Sequence, residues 1–134
     1  MLKSKTLKIN SENDLMFITF PNLSETGLVR HAFSTRLGGV SHGIYRSMNL
    51  SPSNGDDRKN VLKNYEILCN AIGADYKKCV LSHQTHTVNL RVVNENDIGK
   101  GIFCARDYDD VDGLITNVPG VVLVTQYADC VPLL

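Results

Sequence analysis

Residues 111–134 read VDGLITNVPGVVLVTQYADCVPLL. Two apolar, β-branched runs, Val111–Thr116 and Val121–Tyr127, flank the turn-forming stretch Asn117 to Gly120. Two strands joined by a turn are expected. After the second run the chain passes through Ala128-Asp129-Cys130 and ends on Val131-Pro132-Leu133-Leu134. This closing segment reads as buried, whereas domain termini are usually polar and exposed. A buried strand needs neighbours on both sides. The expectation is that residues normally follow Leu134, or that another chain supplies the neighbour. The alternative is a short protein whose last strand docks at a sheet edge.

Working back from this stretch, Cys79–Ser82 and Thr87–Val93 also read as strands, and Asn94–Asp110 as a polar, charged loop. One helix is plain. Val61, Leu62, Tyr65, Leu68, Cys69 and Ile72 recur at the spacing of one helical face. Asp56 or Asp57 caps its start and Gly73 suits its end. Further back, Asp14–Phe20 and Leu28–Ser34 read as strands separated by a turn at Pro21–Gly27. About six strands and one helix predict an α+β domain with a mixed sheet, occupying residues 1–134.

Composition narrows the function. The 134 residues carry 14 Lys and Arg against 14 Asp and Glu, and 43% are apolar. That apolar share supports a core and argues against disorder. A balanced charge argues against nucleic-acid binding. No apolar run approaches the ~18 residues of a membrane span, and the lysine-bearing N-terminus lacks the apolar core of a signal peptide. A cytoplasmic protein with reduced thiols is expected. Cysteines 69, 79, 104 and 130 include no CxxC pair, so zinc ribbons and fingers are excluded. Asp109, Asp110 and Asp112 lack the glycine and closing glutamate of a calcium loop. They read, with Arg91, Lys100 and Arg106, as solvated loop charges.

Three places could carry chemistry. His83 and His86 lie three apart, which on a strand puts them on opposite faces. Either is a ligand candidate or an ordinary hydrogen-bonded histidine. Cys130 follows a strand end; it is a candidate nucleophile, a candidate metal ligand, or a small buried thiol. A Cys and a His from separate strand ends suit a nucleophile–base pair or two of three catalytic zinc ligands equally. Ser34-Thr35-Arg36-Leu37-Gly38-Gly39 could form an anion-binding turn, because glycines let backbone N–H groups converge. It could also be a plain tight turn.

Several segments together resemble one family. His31–Ser41 (HAFSTRLGGVS) is similar to its early H-x-F-[ST]-T-R-x-G-G-x-S signature. Met48-Asn49-Leu50 with Gly55-Asp56-Asp57 resembles its next block, and Gln84-Thr85-His86 its Q-x-H element. Asp112–Thr116, Pro119-Gly120 and Ala128–Pro132 resemble its D-x-L-I-T, P-G and A-D-C-x-P core. This is the YfiH-like purine nucleoside phosphorylase family, long labelled multicopper polyphenol oxidase or laccase-domain protein. The resemblance runs from about His31 to Leu134. It implies an α/β sandwich of its own type, related to the catalytic domain of cytotoxic necrotising factor and to cysteine hydrolases. It also implies a zinc held by the His of Q-x-H, the Cys of A-D-C and a later His in H-x-G-W-R-G. Carried over, the metal ligands are His86 and Cys130. The third has no counterpart before Leu134, so this chain resembles the N-terminal part of a domain about twice as long.

The resemblance implies phosphorolysis of adenosine, inosine, guanosine and methylthioadenosine, together with adenosine deamination. Purine nucleosides and phosphate are the implied partners. Ser34, Arg36, Gly38, Gly39 and Asn49 form the candidate substrate-binding set, with Arg36 meeting phosphate or an oxyanion. Asp129 and Cys130 complete the candidate catalytic set, Asp129 as a proton-handling neighbour of the ligand. Copper is physically poor, since coupled copper oxidation needs many imidazoles and this chain has four His. A Cys–His hydrolase, or an inert fragment that pairs with a second copy through its C-terminal strand, is the alternative.

Overall fold

The computed structural model describes residues 5–132. The chain divides into two compact units, residues 1–74 and 75–134. Leu133 and Leu134, where the closing segment was expected to be buried, lie outside the described residues.

The first unit begins with an element that has no strong sequence signal. Strand β1 (Lys8–Glu12) pairs antiparallel with β2 (Leu15–Thr19), Glu12 opposite Leu15. Asn13 makes the turn at φ 53°, a left-handed conformation that asparagine tolerates better than most residues. Lys8–Glu12 is too polar to read as a strand from its own residues, and β2 supplies its hydrogen bonds. Pro21 then opens a single helical turn, α1 (Pro21–Ser24), rather than a plain turn. The strand expected over Leu28–Ser34 shrinks to β3 (Phe33–Ser34), which pairs with β2. Leu28 and Val29 are exposed.

Helix α2 (Arg58–Ala71) forms where the periodicity predicts it. The Asp57 side chain caps it by accepting from the Lys59 N–H, and Gly73 follows its end at φ 68°. Its buried face is Val61, Asn64, Tyr65 and Cys69. Ile67, Leu68, Ala71 and Ile72 pack against a core of Leu15, Phe17 and Met48. Burying each such large apolar side chain contributes about 1.5–3 kcal/mol.

In the second unit β4 (Cys79–Leu81) is buried throughout and runs parallel to β7 (Val122–Val124). Strands β5 (Leu90–Val92) and β6 (Gly113–Ile115) form another parallel pair. Strands β6 and β7 form on either side of the Asn117–Gly120 turn, as expected, and each pairs in parallel with an earlier strand. Together with the antiparallel sheet of the first unit, this is a mixed α+β chain with few helices, as expected.

The expected solvated loop over Asn94–Asp110 is instead tightly built. Asn94 and Asp97 form a reciprocal capping box around a 3₁₀ turn, Glu95–Asp97. Asp97 is only 3% exposed; its carboxylate accepts from Arg91 at 2.9 Å and Lys100 at 2.8 Å. Lys100 also reaches Asp107 at 2.9 Å. Burial pushes the Asp97 carboxyl up, but the Lys100, Asn94 and Arg91 bonds outweigh it and hold it at about 2. Ile102 and Tyr108 are buried, and the Tyr108 hydroxyl donates to the Leu81 carbonyl at 2.6 Å. The Arg91 guanidinium lies 4.5 Å from the Tyr108 ring centroid.

Candidate functional site

The second unit brings its two sequence-predicted ligands together. His86 Nδ1 lies 3.9 Å from Cys130 Sγ, although the residues are 44 apart in the chain. Both are exposed, so the pair faces solvent. Two local structures put them there. Gln84 Oε1 accepts from the Gln126 N–H at 2.8 Å and from Ser82 Oγ at 3.0 Å. Ser82 N–H also donates to the Val124 carbonyl at 3.0 Å. These bonds extend the β4–β7 pairing past both strand ends, toward Gln84-Thr85-His86 on one side and Ala128-Asp129-Cys130 on the other.

The second local structure is an acidic clamp. Asp112 Oδ1 accepts from the His86 N–H at 2.9 Å. Its Oδ2 accepts from the Thr85 N–H at 3.1 Å and the Thr87 hydroxyl at 2.9 Å. Bonding led by the Thr85 N–H holds the Asp112 carboxyl at about 2. Asp110 adds bonds from the Thr85 hydroxyl and, at 2.7 Å, from Asn89 Nδ2. Inside this turn His86 sits at φ 66°, a left-handed conformation that costs an L-residue about 1–2 kcal/mol. The acidic run is exposed at Asp107, Asp109 and Asp110, as expected of solvated charges, but through Asp110 and Asp112 it also fastens residues 85–89. Its signal in the sequence is two aspartates, 110 and 112, with the β-branched Val111 between them; Val111 forms an antiparallel bridge to His83. His83 Nδ1 faces Asp109 at 2.9 Å.

Asp129 is exposed beside Cys130. The buried fate expected of the closing segment is corrected: Cys130 is exposed and Val131 is 84% exposed. Among the described residues β7 pairs with β4 alone.

The first unit treats its candidates differently. Gly38 and Gly39 are packing glycines. A Cβ on Gly38 would collide with the Leu15 backbone, and one on Gly39 with the Ser47 carbonyl and Asn64. The amides of the expected anion turn are spent internally, Gly39 N–H on Ser47 Oγ at 3.2 Å and Val40 N–H on Asn64 Oδ1 at 2.8 Å. Both glycines thus serve close packing, and the Gly39 N–H is engaged within its own unit. Ser34 sits in β3 opposite Phe17. Asn49 is committed to a polar knot, donating to Asp56 at 2.9 Å and accepting from the Ser51 N–H at 3.1 Å. The exposed Arg36 donates from Nε to the Arg46 carbonyl at 2.6 Å and from Nη2 to the Ile44 carbonyl at 3.3 Å. With Arg46, Asn49 and Asn54 it lines an open depression of about 280 Å³.

The fit to a metal can be judged from the donors. A tetrahedral zinc holding His nitrogen at about 2.0 Å and Cys sulfur at about 2.3 Å sets them roughly 3.5 Å apart. The observed 3.9 Å is close to that span. Among the described residues no group of three or more His, Cys, Asp and Glu side chains is arranged to hold a metal. His86 and Cys130 lie close enough for one ion to touch both.

The fold and this strand-end pair define a mixed α+β chain with a solvent-facing His–Cys couple. Residues 30–134 match the family described as multi-copper polyphenol oxidoreductase laccase, and the chain belongs to that family. It is 31% identical over 127 residues to a purine nucleoside phosphorylase of Bacteroides thetaiotaomicron, covering 94% of this chain and 47% of that protein. It is 34% identical over 110 residues to adenosine deaminase RL5 from an unknown prokaryotic organism, covering 76% and 40%. The crystal structure of YlmD from Geobacillus stearothermophilus superposes with a TM-score of 0.74 at 28% identity, covering 91% of this chain and 45% of that one. The chain therefore spans about half the length, or less, of the relatives it matches. Among the described residues no helix is long and apolar enough to cross a membrane.

Proposed function

We propose that this chain carries part of the site of a purine nucleoside phosphorylase that also deaminates adenosine. The carrying observation is the 3.9 Å approach of His86 Nδ1 to Cys130 Sγ, in a chain whose relatives are named for these two activities. His86 and Cys130 would hold zinc, and their imidazole and thiolate donors suit it. Zinc at such a site supplies a Lewis acid that polarises oxygen and acidifies water. In phosphorolysis phosphate attacks the anomeric carbon as the C–N bond to the purine breaks, so negative charge must be positioned and stabilised. Arg36 retains guanidinium N–H groups beyond those bonding Arg46 and Ile44 and is the residue proposed to meet phosphate. Asp129 is proposed to hand a proton to or from the reacting purine.

Residues 1–134 are read as the N-terminal part of this single family domain, with a third donor supplied from outside them. The 134-residue chain alone is then expected to bind zinc weakly and turn over negligibly. The test is release of hypoxanthine from inosine and phosphate, with metal content measured in parallel. Turnover matching that of a relative of full length would refute the reading. The same sulfur–nitrogen distance also suits a Cys–His hydrolase, with Cys130 as nucleophile and His86 as base. Metal-free protein whose Cys130 alkylates quickly, with zinc giving no protection, favours that second reading.

A further inference from the structure

We infer that Asp112 is the positioning residue that holds His86 against Cys130. This rests on the reading of His86 and Cys130 as a donor pair. Three consecutive residues, Thr85, His86 and Thr87, each donate a hydrogen bond to the one Asp112 carboxylate. A carboxylate that receives the N–H of residue 86 and groups from both neighbours fixes the backbone of residue 86 in direction as well as place. The need is specific, because His86 sits at φ 66°, a left-handed conformation that few non-glycine residues adopt. Without the clamp, residue 86 relaxes to negative φ and its ring swings away from Cys130. Asp112 is itself anchored, since its own N–H and that of Gly113 donate to the Asn89 carbonyl at the start of the β5–β6 pairing. The register of that parallel pair is thereby transmitted to the orientation of the imidazole. Asp112 touches no reacting atom; it acts through His86.

The experiment compares the wild-type chain with Asp112→Ala, Thr87→Val and Asp109→Asn. The first readout needs no metal: the nuclear Overhauser effect between the His86 ring protons and the Cys130 Hβ protons. The second is titration with Co²⁺ alone, following the thiolate-to-cobalt charge-transfer band. The wild-type chain is expected to show the Overhauser contact. Asp112→Ala is expected to lose it, with amide signals outside residues 83–90 and 109–113 unmoved, and to bind Co²⁺ about 10- to 100-fold more weakly. Thr87→Val removes one of the three bonds and gives a partial loss; it carries the test if Asp112→Ala does not fold. Asp109→Asn removes an equal charge nearby without touching residues 85–87 and leaves both readouts unchanged. An Overhauser contact that is absent from wild type, or that survives Asp112→Ala or Thr87→Val at full strength, overturns the inference. Loss of both readouts in Asp109→Asn overturns it as well, because charge alone would then suffice. A cobalt band that survives Cys130→Ala sinks the donor-pair reading, while loss of the Overhauser contact in Asp112→Ala still supports the positioning role.

Discussion

Asn64 shows how one side chain can set a loop. It is fully buried on α2, yet its amide donates to Ser41 Oγ and to the carbonyls of Ser47 and Asn49, and accepts the Val40 N–H. Both its amide donor and its amide acceptor are engaged. Asn64→Leu strands these buried partners, and a loss of about 1–3 kcal/mol is expected, read as a lower urea midpoint. Gly39→Ala drives a methyl into the Ser47 carbonyl and the Asn64 side chain. Overpacking of this kind costs about 1–3 kcal/mol, and the same urea titration checks it. Both residues were visible in the sequence but not their work. The Gly38-Gly39 pair has the composition of an anion-binding turn, and only the nearness of Leu15 and Ser47 shows it to be a packing device.

At the scale of elements, helix α2 was legible and its cap was too. Asp57→Ala removes the bond to the Lys59 N–H and is expected to cost about 1 kcal/mol, measured by thermal unfolding. The excursion between β5 and β6 was not legible, because charged residues there bury each other. Lys100 and Arg91 both pair with Asp97, so a stretch that looks solvated is fastened to β5. The pH dependence follows from Asp97. Its folded-state carboxyl lies at about 2 against an ordinary 3.8, so its contribution is complete above the ordinary value and is lost as pH falls through the folded one. Stability is expected to decline between about pH 4 and pH 2. Asp97→Asn should flatten that decline in denaturant midpoints and lower stability at neutral pH by about 1.5–3 kcal/mol.

At the scale of the whole molecule, two units carry separate candidate features: the Arg36 depression in residues 1–74 and the His86–Cys130 pair in residues 75–134. Zinc that binds the folded chain stabilises it by mass action. With two protein donors, little increase in unfolding temperature is expected at micromolar zinc, and His86→Ala should abolish whatever increase there is. A large shift that survives this substitution would place the metal elsewhere. The sequence by itself determined the α+β class and the α2 helix with its cap, because periodicity and capping are local properties of the chain, and the family resemblance singled out His86 and Cys130. Tertiary structure alone decided the rest. Parallel pairing of β4 with β7 and of β5 with β6 joins segments far apart in the chain, and no local propensity encodes it. That pairing carries His86 to Cys130 across 44 residues, and it turns Asp112 from a loop charge into the clamp on the histidine.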